Sequence, residues 1–311
     1  MNKNSKIYVA GHRGLVGSAI VRGLEAKGYK NIIGRTHNQL DLMNSVAVEE
    51  FFKSEKPEYV FLAAAKVGGI YANSTYSADF IYENLQIQNN VIGMAKKYDV
   101  KKLMFLGSSC IYPKMCPQPI KEEYLLSGYL EETNEAYALA KISGLKMCQF
   151  FNKQYDTNYI SVMPTNLYGP YDNFSGVNSH VMPALIRRFH EAKVNNSPEV
   201  VVWGSGTPLR EFLYSEDMAD ACIYLMEKYE GNNFFNIGTG EEITIRELSE
   251  LVKKIIGYEG KIVWDSSKPD GTPRKLLDVS RLENAGWQYK VNLEDGVKMA
   301  YEWFLENCTG V

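Results

Sequence analysis

A tyrosine and a lysine stand four residues apart in the stretch YALAK, as Tyr137 and Lys141. On a helix this spacing places both side chains on one face. A nearby ammonium lowers the pKa of a phenol from its usual value near ~10, so the pair predicts that Tyr137 can donate a proton. Ser108 follows an apolar run earlier in the chain and could hydrogen-bond the same acceptor oxygen. Together the three side chains predict chemistry at a carbonyl group.

A second stretch could bind the phosphates of a dinucleotide. It reads GHRGLVG, and its residues are Gly11, His12, Arg13, Gly14, Leu15, Val16 and Gly17. It follows a short apolar run and precedes an amphipathic helical pattern, which is the context of glycine-rich turns that bring a pyrophosphate to a helix N-terminus. The alternative is a glycine turn with a structural role alone.

The end of the next apolar run bears on which dinucleotide would bind. An acidic residue there accepts the ribose hydroxyls of NAD, whereas a basic residue suits the extra phosphate of NADP. The chain has Arg35 and His37 at this place and no carboxylate before Asp41. Arg13 could reach the same phosphate, so the sequence favours NADP, although an arginine in a loop is often only a solvated surface charge.

The hydrophobic pattern predicts the framework that must position these groups. From residue 7 to residue 107, near-continuous apolar runs alternate with amphipathic helical patterns, which is typical of a parallel sheet covered on both faces. The sequence therefore predicts an α/β fold, a Rossmann-type doubly wound parallel sheet with a smaller α/β substrate-binding lobe. We expect residues 1–170 to form the dinucleotide-binding domain, rejoined by part of 212–240, and residues 171–311 to form mainly the substrate-binding domain.

Composition and charge exclude several classes of partner. The 311 residues are 45% hydrophobic and 23% charged, with a net charge of -3 and scattered basic residues, so we expect a soluble protein that binds no nucleic acid. The five cysteines form no CxxC pair, which argues against a disulfide framework or a metal site. No apolar run approaches the ~20 residues that span a bilayer, and the N-terminus does not read as a signal peptide. We therefore expect a cytoplasmic protein without a membrane partner.

Several strings resemble a known family. The glycine loop, the serine after its strand and YALAK are similar to those of extended short-chain dehydrogenase/reductases. Five longer strings resemble the GDP-L-fucose synthase family: AAAKVGGI (63–70), FLGSSCIYP (105–113), SVMPTNLYGPYDNF (161–174), VVVWGSGTPLREF (200–212) and SKPDGTPRKLLDV (267–279). This resemblance implies an NADPH-dependent enzyme that epimerises C3 and C5 of GDP-4-keto-6-deoxy-D-mannose and then reduces C4, which gives GDP-L-fucose.

The resemblance also implies roles for a thiol and an imidazole. Cys110 matches the family's catalytic cysteine and His180 matches its partner, and the two would move protons at C3 and C5, which the adjacent ketone makes acidic. As the second residue after Ser108, Cys110 is expected to share the orientation of the serine if the strand geometry continues that far. Without the resemblance, Cys110 would be interpreted as an inert core cysteine and His180 as a hydrogen-bonded structural histidine.

Binding positions follow from the same resemblance. Besides the glycine loop, the cofactor-binding positions are Arg35, His37, Asp41, Leu106, Gly107, Ser108, Ser109, Lys141, Pro164, Thr165, Asn166, Leu167 and His180. The substrate-binding positions are Arg188, Trp203, Arg210 and Asp270. Trp203 could instead pack in the core, and Asp270 could instead form a turn. Family members carry arginine where this chain has His37, so we expect a weaker contact to the 2′-phosphate there.

Two other functions remain open, and one assembly is implied. A sibling enzyme could reduce another GDP-linked 4-keto-6-deoxy sugar such as a heptose, with or without epimerisation. A regulatory or scaffold protein could keep the dinucleotide fold without catalysis. The resemblance implies a homodimer that pairs residues 78–97 and 142–155 across a two-fold axis. The charged stretch 121–133 could be a lid or a solvated loop.

Overall fold

A computed structural model of the chain describes residues 1–175, 179–268 and 270–308. The helices are α1 (Leu15–Ala26), α2 (Ser45–Glu55), α3 (Ile70–Thr75), α4 (Ser77–Lys97), α5 (Glu135–Tyr155), α6 (Val181–Val194), α7 (Ser215–Lys228), α8 (Ile245–Ile256), α9 (Ser280–Asn284) and α10 (Leu293–Cys308). The strands are β1 (Ile7–Ala10), β2 (Ile32–Ile33), β3 (Tyr59–Leu62), β4 (Lys102–Leu106), β5 (Tyr159–Pro164), β6 (Asn166–Tyr168), β7 (Glu199–Trp203), β8 (Leu209–Arg210), β9 (Phe212–Tyr214), β10 (Phe235–Ile237), β11 (Ile243–Thr244), β12 (Lys261–Asp265) and β13 (Arg274–Lys275).

Six parallel strands form the main sheet in the order β10-β5-β4-β3-β1-β2. Strands β1 and β4 are buried along their whole length, which explains why both are apolar apart from Lys102 at the start of β4. The chain runs outward from β1 to β2 and then crosses to β3 on the other side of β1. Ligands bind at such a reversal, beyond the carboxyl ends of the strands, and the glycine loop follows β1 there.

Helices cover both faces of this sheet. One apolar cluster joins α2, α4 and α5 to the sheet through side chains such as Phe52, Val91 and Leu145. The other joins α1 and α7 to the opposite face through Ile20 and Ile223. The predicted fold class, a doubly wound α/β sheet, is confirmed.

Smaller sheets follow residue 165. They are the pairs β6-β9 and β12-β7 and the three-stranded sheet β11-β8-β13. A third apolar cluster packs α6, α8 and α10 together through Phe189, Val252 and Phe304. Strand β10 returns to the edge of the main sheet beside β5. The division of the chain into domains at residue 170 stays a prediction.

Within the described part of the chain, the helices are too short or too polar to span a bilayer.

Candidate active site

The glycine loop turns so tightly that two of its positions leave no room for a side chain. Gly11 has φ of +83°, and a Cβ there would lie 2.8 Å from the backbone N of Ala64. A Cβ on Gly17 would lie 2.0 Å from the carbonyl oxygen of Gly11. The first turn of α1 therefore packs directly on the loop, and Gly14 caps the helix without a side-chain acceptor. The first backbone N–H groups of α1 remain available to an anion.

Basic side chains lie near this loop, but they differ in what they contact. The Arg35 guanidinium is 2.5 Å from the Glu55 carboxylate, so part of its charge is already paired. Arg13 is exposed and lines a cavity of about 520 Å³ beside α1. His37 is largely exposed, with its Nδ1 3.9 Å from Asp41 Oδ1. These positions support a phosphate-binding role most directly for Arg13.

His12 packs under the loop. A Cβ on Gly34 would lie 2.4 Å from the His12 ring, so the second strand and the loop touch here. Burial and the charges of Arg13 and Arg35 lower the pKa of His12, which keeps its ring neutral. Its Nδ1 is buried without a hydrogen-bond partner among the described residues.

Helix α5 carries Tyr137 and Lys141 toward the carboxyl end of β4. The Ser108 hydroxyl donates a hydrogen bond to the Tyr137 phenol, and Lys141 Nζ donates to the carbonyl oxygen of Leu106 at 2.8 Å. The same ammonium lies 5.7 Å from the centre of the Tyr137 ring. The structure thus brings together the serine, tyrosine and lysine that the sequence singled out.

The expected lowering of the Tyr137 pKa is wrong for the protein without cofactor. Burial raises this pKa, and the neighbouring Cys110 adds to the rise, while the Ser108 hydrogen bond opposes it. Burial also lowers the pKa of Lys141 to about 7, so the lysine carries only part of a positive charge at neutral pH. Desolvation outweighs the charge effect that the spacing suggested.

Cys110 is half-buried beside Tyr137, but it does not continue a strand. Strand β4 ends at Leu106, and residues Ser109–Ile111 form a 3₁₀ turn that Ser108 caps by accepting from the Cys110 backbone N–H at 3.2 Å. The expectation that strand geometry orients the thiol is therefore wrong. The capped 3₁₀ turn sets the orientation of the thiol instead.

His180 is the N-cap residue of α6, where its side chain makes no capping hydrogen bond and is exposed to solvent. Desolvation by the surrounding protein and the positive charge of Lys275 both lower the pKa of His180. The imidazole is therefore neutral in most molecules at pH 7, and its protonated form is a stronger acid than free imidazolium.

Strands β5 and β6, which follow α5, and the residue between them carry four of the proposed cofactor positions. Pro164 ends β5, Thr165 links the strands, and Asn166 and Leu167 belong to β6. The Asn166 amide donates to the Glu211 carbonyl oxygen at 2.7 Å. Ser109 and Gly107 are buried next to Ser108, at the neighbouring end of β4. All these positions meet at the carboxyl edge of the main sheet. The region between this edge and the smaller sheets is called the cleft.

The proposed substrate residues cluster at the smaller sheets. Trp203 ends β7 with half of its surface exposed, and its ring lies 5.5 Å from the Arg188 guanidinium and 5.4 Å from Lys268 Nζ. Asp270 accepts from the Ser205 backbone N–H at 2.7 Å. The exposed ring excludes simple core packing for Trp203, whereas the Ser205 contact leaves Asp270 a loop-closing role.

Sequence reasoning missed three polar residues of this cleft. Lys275 Nζ and Asn134 Nδ2 both contact the Cys110 sulfur, and Lys268 lies over Trp203. Lys275 and Lys268 stand inside the string 267–279 that carried the family resemblance, but neither belongs to a local motif. Only the fold brings Lys275 to a residue 165 positions away.

One family model and several named proteins are similar to this chain. A family described as NAD dependent epimerase/dehydratase matches residues 7–238. "GDP-L-fucose synthase 1" of Arabidopsis thaliana is 62% identical over 98% of this chain and 95% of its own length. "GDP-L-fucose synthase" of Escherichia coli (strain K12) is 57% identical over 97% of each chain.

Solved structures agree with the fold over nearly the whole chain. A GDP-6-OMe-4-keto-L-xylo-heptose reductase from C. jejuni superposes with a TM-score of 0.94 at 42% identity, covering 98% of this chain and 99% of its own. A GDP-L-fucose synthetase from Naegleria fowleri bound to NADP gives 0.92 at 31% identity, covering 99% and 94%.

Proposed function

Because the chain belongs to the NAD dependent epimerase/dehydratase family, we propose that it is an NADPH-dependent enzyme that converts GDP-4-keto-6-deoxy-D-mannose into GDP-L-fucose. The reaction inverts C3 and C5 and reduces the ketone at C4. The observation that carries the proposal is the thiol of Cys110 beside the hydrogen-bonded Ser108 and Tyr137 pair. A simple ketone reductase needs the pair but has no use for a thiol at this place.

NADP(H) fits the glycine-loop side of the cleft. The loop excludes side chains at Gly11 and Gly17 and leaves the N-terminus of α1 open to a pyrophosphate. Arg13 and, in part, Arg35 would hold the 2′-phosphate, and the chain has no acidic residue between the end of β2 and Asp41. The strand ends that carry Leu106 and Asn166 would flank the nicotinamide. When bound, NADPH supplies the hydride for a ketone.

Epimerisation would use the ketone as an electron sink. Ser108 and Tyr137 hold the C4 oxygen by hydrogen bonds, so negative charge that develops on it is stabilised. Cys110 removes the proton from the carbon beside the ketone. His180, from the other side of the cleft, returns a proton to the opposite face of that carbon, which inverts it.

Reduction would use the same oxygen contacts. Tyr137 gives its phenolic proton to the C4 oxygen as that oxygen gains charge, and Ser108 keeps the phenol aligned through its hydrogen bond. Lys141 anchors α5 to the end of β4 through the Leu106 carbonyl, so the tyrosine is held at a fixed distance from the serine. One oxygen-binding pair thus serves both reactions.

The GDP part of the substrate fits the smaller sheets. Arg188 and Arg210 supply guanidinium groups for a diphosphate, and the exposed Trp203 ring supplies a stacking face for a base. Burial lowers the pKa of Arg210, but it stays a cation at neutral pH. Asp270 shapes this end of the cleft through Ser205.

A second candidate function is reduction of a GDP-linked 4-keto heptose, favoured by the likeness to the C. jejuni reductase. The experiment supplies the hexose and heptose GDP-4-keto sugars with NADPH and determines the product stereochemistry by NMR. GDP-L-fucose from the hexose is expected. Faster turnover of the heptose without inversion would support the second candidate, and no NADPH consumption would leave a non-catalytic binding protein.

We also propose that the enzyme works as a homodimer. Helices α4 and α5 pack side by side and expose large apolar side chains, among them Tyr82, Leu139 and Phe150. A two-fold interface there would bury these side chains and brace the helix that carries Tyr137.

A further inference from the structure

The sulfur of Cys110 receives two hydrogen-bond donors. Asn134 Nδ2 lies 3.4 Å from it and Lys275 Nζ lies 3.5 Å from it. Among the described residues, this sulfur donates no hydrogen bond. A thiol can donate and accept, whereas a thiolate only accepts. Both contacts therefore bring hydrogen-bond donors to the sulfur.

Lys275 is placed for this contact by the smaller sheet. It lies on β13, which pairs with β8, and the preceding Arg274 fixes the strand through an ion pair with Glu242 at 2.7 Å. Within the described ranges, Lys275 itself makes no ion pair with a carboxylate. Its charge is therefore not compensated by a carboxylate, and this charge helps to lower the pKa of His180.

We propose that Lys275 is a positioning residue whose ammonium, 3.5 Å from the Cys110 sulfur, holds that sulfur as a thiolate. This proposal rests on the proposed epimerisation. A positive charge stabilises an adjacent anion. The lysine therefore assists the base of the reaction.

The proton-transfer step balances as follows. The Cys110 thiolate takes the proton from the carbon beside the ketone, the C–H electron pair moves toward the C4 oxygen, and the sulfur becomes a thiol. The His180 imidazolium then gives its proton to the opposite face of the carbon and becomes neutral imidazole. The thiol later releases its proton to solvent and the imidazole takes one up, so no co-reactant is consumed.

Among the residues that the structure describes, few other groups contact Cys110. Tyr137 faces it from α5, and burial raises the pKa of that phenol, so the tyrosine is neutral at pH 7. Asn134 faces it from a 3₁₀ turn and is uncharged. Ser108, which caps the turn that carries Cys110, is also uncharged. Among these neighbours Lys275 is the one with an ammonium group, so its removal takes the cationic donor away from the sulfur.

The first test measures alkylation of Cys110 by iodoacetamide, an uncharged reagent, in the cofactor-free protein between pH 6 and pH 9. Cys308 is exposed and is replaced by serine, while Cys116, Cys148 and Cys222 are buried. Because the thiolate is the reactive form, Lys275→Gln is expected to slow alkylation at pH 7 at least tenfold and to move the pH profile upward.

Two matched variants control for packing and for charge. Lys275→Arg keeps the cation and should stay within about threefold of the parent protein, and Lys261→Gln removes an exposed lysine of β12 and should change nothing. Lys275→Met replaces the glutamine variant if that variant melts below the parent. Equal alkylation rates with and without the cation would overturn the proposal.

The second test separates this role from substrate binding. With GDP-4-keto-6-deoxy-D-mannose in D₂O, Lys275→Gln is expected to lower the maximal rate of deuterium exchange at C3 and C5 at least tenfold. A rise in KM alone, with the maximal rate unchanged, would make Lys275 a substrate contact and overturn the proposal. If the parent protein exchanges no proton with this sugar, the proposed function fails, while the alkylation result still decides the Lys275 contact.

Discussion

Lys141 is a cation by residue type, yet burial between α5 and the end of β4 lowers its pKa to about 7. Its Nζ is satisfied by the Leu106 carbonyl, so the neutral amine costs little and the charged form is poorly solvated. The pKa of Tyr137 shifts in the opposite direction, since burial disfavours the phenolate. In the protein without cofactor, the pair is held mainly as neutral phenol and a partly charged lysine.

This burial predicts a pH-dependent stability. The unfolded chain holds the Lys141 proton up to pH ~10.4 and the folded protein only up to about 7, so the unfolded state binds more protons between these values and stability rises with pH. From pH 6.5 to pH 9.5, the free energy of unfolding of the parent relative to Lys141→Met is expected to increase by about 2 kcal/mol or more. Urea unfolding of the cofactor-free proteins measures it. Lys146→Met, on the same helix, is the control, and a pH-independent difference for Lys141 would contradict the prediction.

The thiol separates the two proposed chemistries. Cys110→Ser replaces the thiol by a hydroxyl, which is a far poorer base, so deuterium exchange at C3 and C5 should fall at least a hundredfold. Ser108, Tyr137 and Lys141 stay intact, so hydride transfer to C4 should continue and give a reduced sugar without inversion. Tyr137→Phe is the matched comparison and should lose reduction and slow exchange too.

NMR of both variants with GDP-4-keto-6-deoxy-D-mannose in D₂O follows the three carbons separately. Exchange by Cys110→Ser at the parent rate would make the thiol a bystander and favour the heptose-type reductase.

The glycine loop and the second strand act as one element in cofactor choice. The loop fixes α1 against β1 and exposes Arg13, while Arg35 shares its charge with Glu55. Sequence alone could place the arginines but not the carboxylate partner, which comes from the far end of α2. Because Arg35 is paired in this way, we expect Arg13 to make most of the contact to the 2′-phosphate.

NADPH is therefore expected to be used at least tenfold more efficiently than NADH, which corresponds to about 1.4 kcal/mol of transition-state discrimination. Arg13→Gln should remove most of this preference by lowering kcat/KM for NADPH alone. Arg187→Gln, at an exposed ion pair on α6, should leave it unchanged. Steady-state kinetics with both cofactors gives the ratios. A ratio near one in the parent would show that neither arginine reads the phosphate.

Local signals were sufficient for the main sheet and insufficient for the thiol's surroundings. Alternating apolar runs and helical patterns predicted the doubly wound sheet because buried strands such as β1 and β4 are largely apolar, with Lys102 as the exception in β4. The orientation of Cys110 depends on a three-residue turn, and its partner Lys275 comes from a different sheet. Contacts between distant segments leave no periodicity in the sequence, so Lys275 could not be found that way.

At the scale of the whole molecule, a buried carboxylate ties the main sheet to the smaller ones. Glu211 lies between β8 and β9 with its side chain fully buried and its oxygens accepting from the backbone N–H groups of Thr239 and Leu277 at 2.6 and 3.0 Å. Its own carbonyl accepts from Asn166. A buried carboxylate persists only where such donors satisfy it. These hydrogen bonds link the carboxyl edge of the main sheet to the smaller sheets.

The outer surface of α4 and α5 exposes several large apolar side chains. Leu139 and Phe150 are 41% and 62% exposed on α5, and Tyr82 is 62% exposed on α4. Large apolar side chains clustered on adjacent helices are typical of an interface, and one surface meeting its own copy forms a closed dimer. Light scattering at micromolar concentration is expected to give about twice the chain mass of 35.2 kDa. Phe150→Glu should yield the monomer, because a carboxylate would be buried opposite its copy, whereas Val194→Glu at the exposed end of α6 should stay dimeric. A parent protein that scatters as a single chain would rule out this interface.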